Sequence, residues 1–237
     1  MNDVTFRLKI CGVRRVEDVD LVADSGGDAI GLNLFRSSVR YVDPDSTLAA
    51  DIVRRAHERG VLVVAVVVER SAEQINGFHD RLGLDAIQWH GDQRVADLRR
   101  SNIAIPQLRA VKLPAGTLSP SQISAAVDPW IEAGFDVLLD ADVGAAHGGQ
   151  GQRLDWSSIG RWSASRPDVP FVLAGGLKPD SVAEAITRST ARRVDVASGV
   201  ELPQGTKNAA LTDAFCRAAA GAWSIGRALD SKAPRLD

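Results

Sequence analysis

Cysteine is scarce in this chain of 237 residues, which contains only Cys11 and Cys216. Two cysteines are too few for a disulfide framework, and they predict free thiols in a reducing compartment. Histidine is scarce as well, because the chain has four, scattered without the spacing of zinc ligands. The sequence therefore predicts neither a disulfide scaffold nor a metal site.

An excess of charge and a long apolar run are also missing. The formal net charge is −2, which gives no support for a nucleic-acid partner or an anionic membrane surface. No window approaches the roughly 18 apolar residues of a membrane span. The first residues, Met1 to Val4, have neither the basic nor the apolar part of a signal peptide. We expect a cytoplasmic protein without nucleic-acid or membrane partners.

Hydrophobic residues make up 45% of the chain, which is enough for a full core. Short apolar runs alternate with amphipathic stretches, and this predicts a parallel sheet with helical crossovers. An open doubly wound sheet is one interpretation. The regular spacing of strands and helices and the lack of a linker favour a closed α/β fold instead, a single-domain (β/α)8 TIM barrel over residues 1–220. Residues 221–237 are weakly patterned and are expected to be a tail, mobile or packed under the barrel. The predicted strands are 7–11, 28–34, 61–68, 85–89, 108–113, 136–140, 169–174 and 194–197.

The ends of two predicted strands carry groups that can exchange protons. Side chains alternate along a strand, so Lys9 and Cys11 share one face, and a nearby cation favours the reactive thiolate. Asp140 ends the sixth strand. Taken singly, Cys11 is a small core residue and Asp140 a turn cap. Since active sites of such barrels lie where the strands end, we predict that Cys11 is a base and Asp140 an acid.

Closure of the barrel brings the eighth strand beside the first. Asp195 is then expected to face Lys9, in a pair that allows both charges to be buried. In this arrangement Lys9 stays close enough to Cys11 to favour its thiolate.

Two glycine-bearing loops follow the last two predicted strands. Gly175 and Gly176 follow the seventh strand, and Ser198 and Gly199 follow the eighth. Their backbone N–H groups are unobstructed, and barrels often bind phosphate between these two loops. Tight turns are the alternative for each loop alone, and the two loops together predict a phosphate site.

Other polar residues are candidates for contact with a substrate. Arg40, in the loop after the second strand, can clamp a carboxylate with two parallel hydrogen bonds, or be a solvated loop charge. Gln88 and His90 share one face near the end of the fourth strand, where they line the pocket or serve a structural role.

These residues resemble the phosphoribosylanthranilate isomerase family of tryptophan biosynthesis, from Lys9 to about Asn208. Each matching motif is weak alone, and their order along the chain is specific. The motifs are KICG at 9–12, SVRYV at 38–42, QWHG at 88–91, LLD at 138–140, GGQG at 148–151 with DW at 155–156, LAGGL at 173–177, DVASGVE at 195–201 and GTK at 205–207.

The resemblance implies an Amadori rearrangement of N-(5-phosphoribosyl)anthranilate that needs no metal or cofactor. Asp140 would protonate the ribose ring oxygen, the Cys11 thiolate would remove the C2′ proton, and Arg40 would hold the anthranilate carboxylate. The partner would be this sugar phosphate, and the protein a monomer or a homodimer. Lys9, Gln88, His90 and Asp195 would contact the substrate, and its phosphate would be held by Gly149, Gly151, Gly175, Gly176, Ser198 and Gly199.

Two alternatives stay open beside this one. The chain could be a paralogous isomerase for another aminated ribose phosphate, or a phosphate-binding barrel without turnover. The related barrel of histidine biosynthesis uses two aspartates, and Cys11 argues against it. The chain departs from the family pattern at Val39, where proline is usual, at Gln150, where threonine is usual, and at Ala197, where serine is usual.

Overall fold

A closed barrel of eight parallel strands forms the centre of the protein. The computed structural model describes residues 5–99, 102–141 and 154–230. Each strand pairs with the next in sequence order, and β8 pairs with β1. The predicted (β/α)8 barrel is therefore confirmed, and the open sheet is excluded. The strands are β1 Leu8–Cys11, β2 Ala29–Asn33, β3 Leu62–Val68, β4 Ala86–His90, β5 Gln107–Leu113, β6 Asp136–Ala141, β7 Phe171–Leu173 and β8 Arg193–Val196.

Helices alternate with these strands and cover the outside of the barrel. Within the described residues they are α1 Val16–Asp24, α2 Thr47–Glu58, α3 Ala72–Leu82, α4 Val95–Arg99, α5 Pro120–Glu132, α6 Trp156–Ser165, α7 Val182–Ser189 and α8 Ala209–Asp230, with a 3₁₀ turn at Ser198–Val200. The capping box expected at Ser71 and Gln74 is present at the start of α3. None of the described helices is both long and apolar enough to cross a bilayer.

Alternation along the strands separates two apolar layers. Leu8 and Ile10 of β1 belong to the large layer between the barrel and the helices. A smaller cluster fills the barrel interior, and it includes Ala29, Leu108 and Leu138 from three other strands. Residues two positions further along those strands point to the same interior. This periodicity brings the side chains at the strand ends to one common mouth.

Two of the boundary differences from the sequence prediction have a local physical cause. The seventh strand is shorter than predicted, since Pro170 has no N–H to donate to a neighbouring strand, and β7 begins at Phe171. The last helix is longer, because α8 continues through residue 220 to Asp230. Its Trp223 donates from Nε1 to the Ala191 carbonyl at 2.9 Å, and the Arg7 guanidinium lies 4.3 Å from the Trp223 ring centre. The predicted start of the tail therefore falls inside a helix, and residues 231–237 lie outside the described part.

Candidate active site

A buried ion pair joins the two strands that close the barrel. Lys9 of β1 is in register with Asp195 of β8, and the Lys9 Nζ donates to the Asp195 Oδ1 at 2.6 Å. The Lys9 side chain is 0% exposed and that of Asp195 is 9% exposed. Burial alone would lower the pKa of Lys9, but Asp195 and Cys11 together raise it above its ordinary value. The predicted pairing is confirmed, and the ammonium stays charged inside the barrel.

Cys11 is the last residue of β1 and is buried on the same inner face. It pairs with Gly31 of β2, where an added Cβ would lie 2.6 Å from the Cys11 Sγ. The missing side chain at Gly31 therefore makes room for the thiol. Burial raises the pKa of the Cys11 thiol, against the opposing effect of the Lys9 and Lys207 ammonium groups. Lys9 favours the thiolate as expected, but burial outweighs it.

Asp140 lies near the end of β6, two residues after the interior residue Leu138. Burial and the Asp195 carboxylate raise the pKa of Asp140 to about 6, while the Ala141 N–H and the Lys112 ammonium act in the opposite direction. A carboxyl group with this pKa keeps a proton available close to neutral pH, which is the property of a general acid.

Cys11 and Asp140 surround the same buried ion pair. Lys9 and Asp195 both influence the pKa of Cys11 and that of Asp140, and the strand alternation turns both side chains inward. The site therefore combines a buried thiol with a carboxyl group of raised pKa at one mouth of the barrel. That combination can move protons on a small substrate.

Gln88 and His90 line the mouth from β4. The Gln88 Nε2 lies 2.6 Å from the His90 Nε2. Burial and the nearby cations, Lys9 foremost, lower the pKa of His90 to about 4, so its imidazole is neutral at physiological pH. Among the described residues the buried Gln88 Oε1 has no hydrogen-bond partner. A ligand donor would satisfy it.

Arg40 reaches the mouth from the loop after β2, and its guanidinium is already engaged. Its Nε and Nη2 each donate at 2.7 Å to the two carboxylate oxygens of Glu201. Lys207 donates to the same carboxylate at 2.8 Å. Sequence reasoning found Arg40 but missed the roles of Glu201 and Lys207, since only the folding of the segment after β8 brings them together.

Lys112 of β5 is a further residue that sequence reasoning missed. It is in register with Asp140 and follows Ala110 of the interior cluster by two positions. The alternation in the predicted fifth strand was the signal that could have found it. Lys112 therefore adds a cation to the mouth on the side of the acid.

The predicted phosphate residues lie at the same end of the barrel. Gly175 and Gly176 follow β7 with φ of +83° and +66°, values that favour glycine. Ser198 and Gly199 form the 3₁₀ turn after β8. Within the described residues no acceptor is found for the N–H groups of Gly175 and Gly176. The other two predicted phosphate residues, Gly149 and Gly151, lie outside the described residues.

A metal-binding cluster is not seen in the described ranges, where no group of three or more His, Cys, Asp or Glu side chains converges.

Comparison with known proteins identifies the kind of barrel. Residues 8–218 match the family model described as N-(5′-phosphoribosyl)anthranilate isomerase. The protein of that name from Geobacter sp. strain M21 is 36% identical over 204 residues, which cover 85% of this chain and 92% of the relative.

Solved structures agree with this match. The phosphoribosyl anthranilate isomerase from Thermotoga maritima is 31% identical with a TM-score of 0.76, covering 92% of this chain and all of the other. A phosphoribosyl anthranilate isomerase in complex with reduced 1-(o-carboxyphenylamino)-1-deoxyribulose 5-phosphate is 30% identical, with a TM-score of 0.72 and coverage of 92% and 100%.

Proposed function

The chain belongs to the N-(5′-phosphoribosyl)anthranilate isomerase family, and we infer from this that it catalyses a step of tryptophan biosynthesis. The reaction is the Amadori rearrangement of N-(5-phosphoribosyl)anthranilate to 1-(2-carboxyphenylamino)-1-deoxyribulose 5-phosphate. It converts an aminated aldose into an aminated ketose and leaves the phosphate and the carboxylate unchanged. The enzyme must therefore bind two anionic groups and transfer protons on the sugar that lies between them.

We propose that Asp140 is the general acid. Its raised pKa of about 6 leaves a proton to donate to the ribose ring oxygen. As that oxygen accepts the proton, the bond from C1′ to the ring oxygen breaks, and the nitrogen lone pair forms the C=N bond of a Schiff base. The opened sugar then carries a hydroxyl group, and Asp140 is left as a carboxylate.

We propose that Cys11 is the general base. Its thiolate takes the proton from C2′, the electrons of that C–H bond form a C1′=C2′ double bond, and the C=N electrons return to nitrogen. The resulting enolamine tautomerises to the ketone. The Lys9 ammonium beside Cys11 supports the thiolate, and Asp195 keeps Lys9 in place through the bond of 2.6 Å.

The two ends of the substrate call for different binding groups. The phosphate is assigned to the N–H groups of Gly175, Gly176, Ser198 and Gly199, with Gly149 and Gly151 as further donors. The carboxylate is assigned to Arg40. Gln88 and His90 are assigned to the sugar and the bridging nitrogen, because the free Gln88 Oε1 can accept a hydrogen bond there.

The observation that carries this function is that Cys11 ends β1 and Asp140 lies near the end of β6, both on the inner face of the barrel that holds the buried Lys9–Asp195 pair. All the assigned groups come from one chain, so a monomer and a homodimer would be equally competent. The reducing cytoplasm is the compartment we propose, because it keeps the Cys11 thiol free.

Complementation of a tryptophan auxotroph that lacks this step tests the proposal. The wild-type chain should restore growth, whereas Asp140→Asn and Cys11→Ala should not. Cys216→Ala is the matched control, because this second buried cysteine lies on α8, and burial raises its pKa to about 12. Assays of the purified proteins should give a loss of roughly 10²- to 10⁴-fold for each catalytic variant. Growth with Asp140→Asn would overturn the assignment of the acid, and no growth with the wild-type chain would overturn the function.

A further inference from the structure

Three charged side chains form a cluster beside the site, and the proposed proton transfers use none of them. The cluster consists of Arg40, Glu201 and Lys207, which we call the Arg40 cluster. The Glu201 and Lys207 side chains are 1% and 0% exposed, and that of Arg40 is 18% exposed. Arg40 is thus the member of the cluster that solvent or a ligand can reach.

The position of the cluster is fixed by the backbone around the base. Lys207 Nζ donates to the Cys11 carbonyl at 2.5 Å, to the Ala197 carbonyl at 3.2 Å and to Glu201 at 2.8 Å. Three acceptors match the three N–H groups of an ammonium ion. The Arg40 stem crosses directly over Gly12, where an added Cβ would lie 2.2 Å from the Arg40 Cδ. The cluster is therefore attached to the end of β1 that carries Cys11.

Glu201 occupies only one edge of the Arg40 guanidinium. Its two oxygens accept from Nε and Nη2, and no partner for Nη1 is found in the described part of the chain. A guanidinium has five N–H donors in a planar fork. The end edge, formed by Nη1 and the second N–H of Nη2, is thus left for another carboxylate.

The charges of the cluster do not cancel. Burial works against ionisation of Glu201, but the hydrogen bonds from Arg40 and Lys207 lower its pKa to about 2, so it carries a full negative charge. Arg40 is positive. Burial lowers the pKa of Lys207 while the Glu201 carboxylate acts in the opposite direction, and the three acceptors around its Nζ favour the charged ammonium. One carboxylate faces two cations, and one positive charge remains without a counter-charge inside the cluster.

We propose that Lys207 determines the specificity for a carboxylated substrate. By sharing the Glu201 carboxylate, Lys207 keeps the cluster one charge positive, and the carboxylate of the substrate neutralises that charge at the free edge of Arg40. Without Lys207, Glu201 would by itself neutralise Arg40. This inference rests on the proposed function.

Two ligands that differ only in the carboxylate test the proposal. One is reduced 1-(o-carboxyphenylamino)-1-deoxyribulose 5-phosphate, and the other is the same compound made with a plain phenylamino group. Calorimetric titration of the full-length chain gives the ratio of their dissociation constants, which we call the carboxylate preference. Lys207→Met should reduce this preference by about tenfold or more, because the Arg40 cluster loses the net positive charge that attracts the carboxylate of the ligand. The affinity for the plain analogue, which has no carboxylate there, should stay unchanged.

Glu201→Gln should act in the opposite direction. This substitution removes the negative charge and leaves both cations, so the carboxylate preference should stay equal to that of the wild type or exceed it. The control is Asp136→Asn, which breaks an ion pair of 3.0 Å with Arg193 at the other end of the barrel, and it should leave the preference unchanged. A merely structural cluster predicts that both Lys207→Met and Glu201→Gln lose affinity for the two analogues equally.

The outcomes separate this inference from the proposed function. Equal losses for both analogues in Lys207→Met, in an enzyme whose wild type turns over the substrate, would overturn the role of Lys207 alone. A wild type without turnover and without a carboxylate preference would overturn both. If Lys207→Met does not fold, Glu201→Gln decides the question, since a reduced preference there contradicts the charge argument.

Discussion

Lys9 and Asp195 face each other on the two strands that close the barrel, and the Lys9 Nζ lies 2.6 Å from the Asp195 Oδ1. The pair links β1 to β8, and its Lys9 ammonium also favours the Cys11 thiolate. Removing one partner leaves the other charge buried alone, whereas removing both leaves none. Stability and activity should therefore respond differently to single and double substitutions.

We expect Lys9→Met to lower the free energy of unfolding by roughly 3–5 kcal/mol. It should also reduce kcat at least about tenfold, because the pKa of Cys11 rises once Lys9 no longer favours the thiolate. The double variant Lys9→Met with Asp195→Asn should recover most of the stability and none of the activity. Urea denaturation and steady-state kinetics on the three proteins measure this. Full activity of Lys9→Met would contradict the role of Lys9.

The pH profile should show two limbs with a plateau between them. Catalysis needs protonated Asp140 together with deprotonated Cys11. The acid has the lower pKa, about 6, and burial places the pKa of the base Cys11 above its ordinary value. Between these two pKa values the fraction of enzyme in the active protonation state is therefore small and independent of pH. Below about 6 the share falls because the thiolate fraction falls while Asp140 is already protonated. Above the pKa of Cys11 it falls because the proton on Asp140 is lost.

Measurement of kcat/KM across pH tests this profile, and alkylation by iodoacetamide assigns its alkaline limb. The alkylation should use the Cys216→Ala protein, in which Cys11 is the only thiol. Its rate should rise with an inflection above the roughly 8.5 of an ordinary cysteine. An inflection well below that value, or a profile without an acidic limb, would show that the thiolate is the dominant form at neutral pH.

The proposed acid should cost the enzyme stability. A carboxyl group whose folded pKa is raised contributes stability at low pH and loses it as the pH rises through the folded value, here about 6. Asp140→Asn should therefore be more stable than the wild type at pH 8, by about 3 kcal/mol at roughly 1.4 kcal/mol per pKa unit. The difference should disappear towards pH 4. Thermal or urea unfolding at both pH values measures it.

Asp155 provides a control of opposite sign for this experiment. Its hydrogen bond with the Ser158 hydroxyl lowers its pKa, and its side chain accepts from the Ser157 N–H at the start of α6. Because the folded pKa is depressed, the ionised carboxylate contributes stability at pH 8 that an amide lacks, so Asp155→Asn should destabilise the protein there. Stabilisation by both substitutions would show that the change reflects lost repulsion between surface charges and not the burial of Asp140.

Much of the fold could be predicted from the local hydrophobic pattern of the sequence, and the Lys9–Asp195 pairing could be predicted from closure of the barrel. The inward positions of Lys9, Cys11 and Asp140 follow from alternation along predicted strands, and the Lys9–Asp195 contact follows from placing β8 beside β1. The last helix was predicted too short because Gly221 resembles a helix end and the residues after it are weakly patterned. Packing of Trp223 against Ala191 overrides that local signal.

The Arg40 cluster could not be predicted in the same way. Its members belong to segments far apart in sequence, and neither strand nor helix periodicity relates Arg40 to Glu201. An isolated antiparallel bridge between Glu201 and Lys207 brings these two residues together, and this depends on the path of a loop. The motif around Glu201 was visible in the sequence, but its contact with Arg40 was not.

Gly31 offers the sharpest test of how precisely the thiol is positioned. A methyl group at this position would lie 2.6 Å from the Cys11 Sγ, far inside the contact distance of two heavy atoms, so the thiol must move. Gly31→Ala should lower kcat by about 10²-fold with little change in KM, because a displacement of about 1 Å can have that effect on a reacting group.

The control is Gly221→Ala in α8, where an added Cβ meets nothing within 4 Å. This variant should keep full activity and gain up to about 1 kcal/mol of stability, since alanine favours the helix. Unchanged kcat in a folded Gly31→Ala protein would mean that the position of the sulfur does not limit the reaction, and Cys11 would lose its assignment as the base.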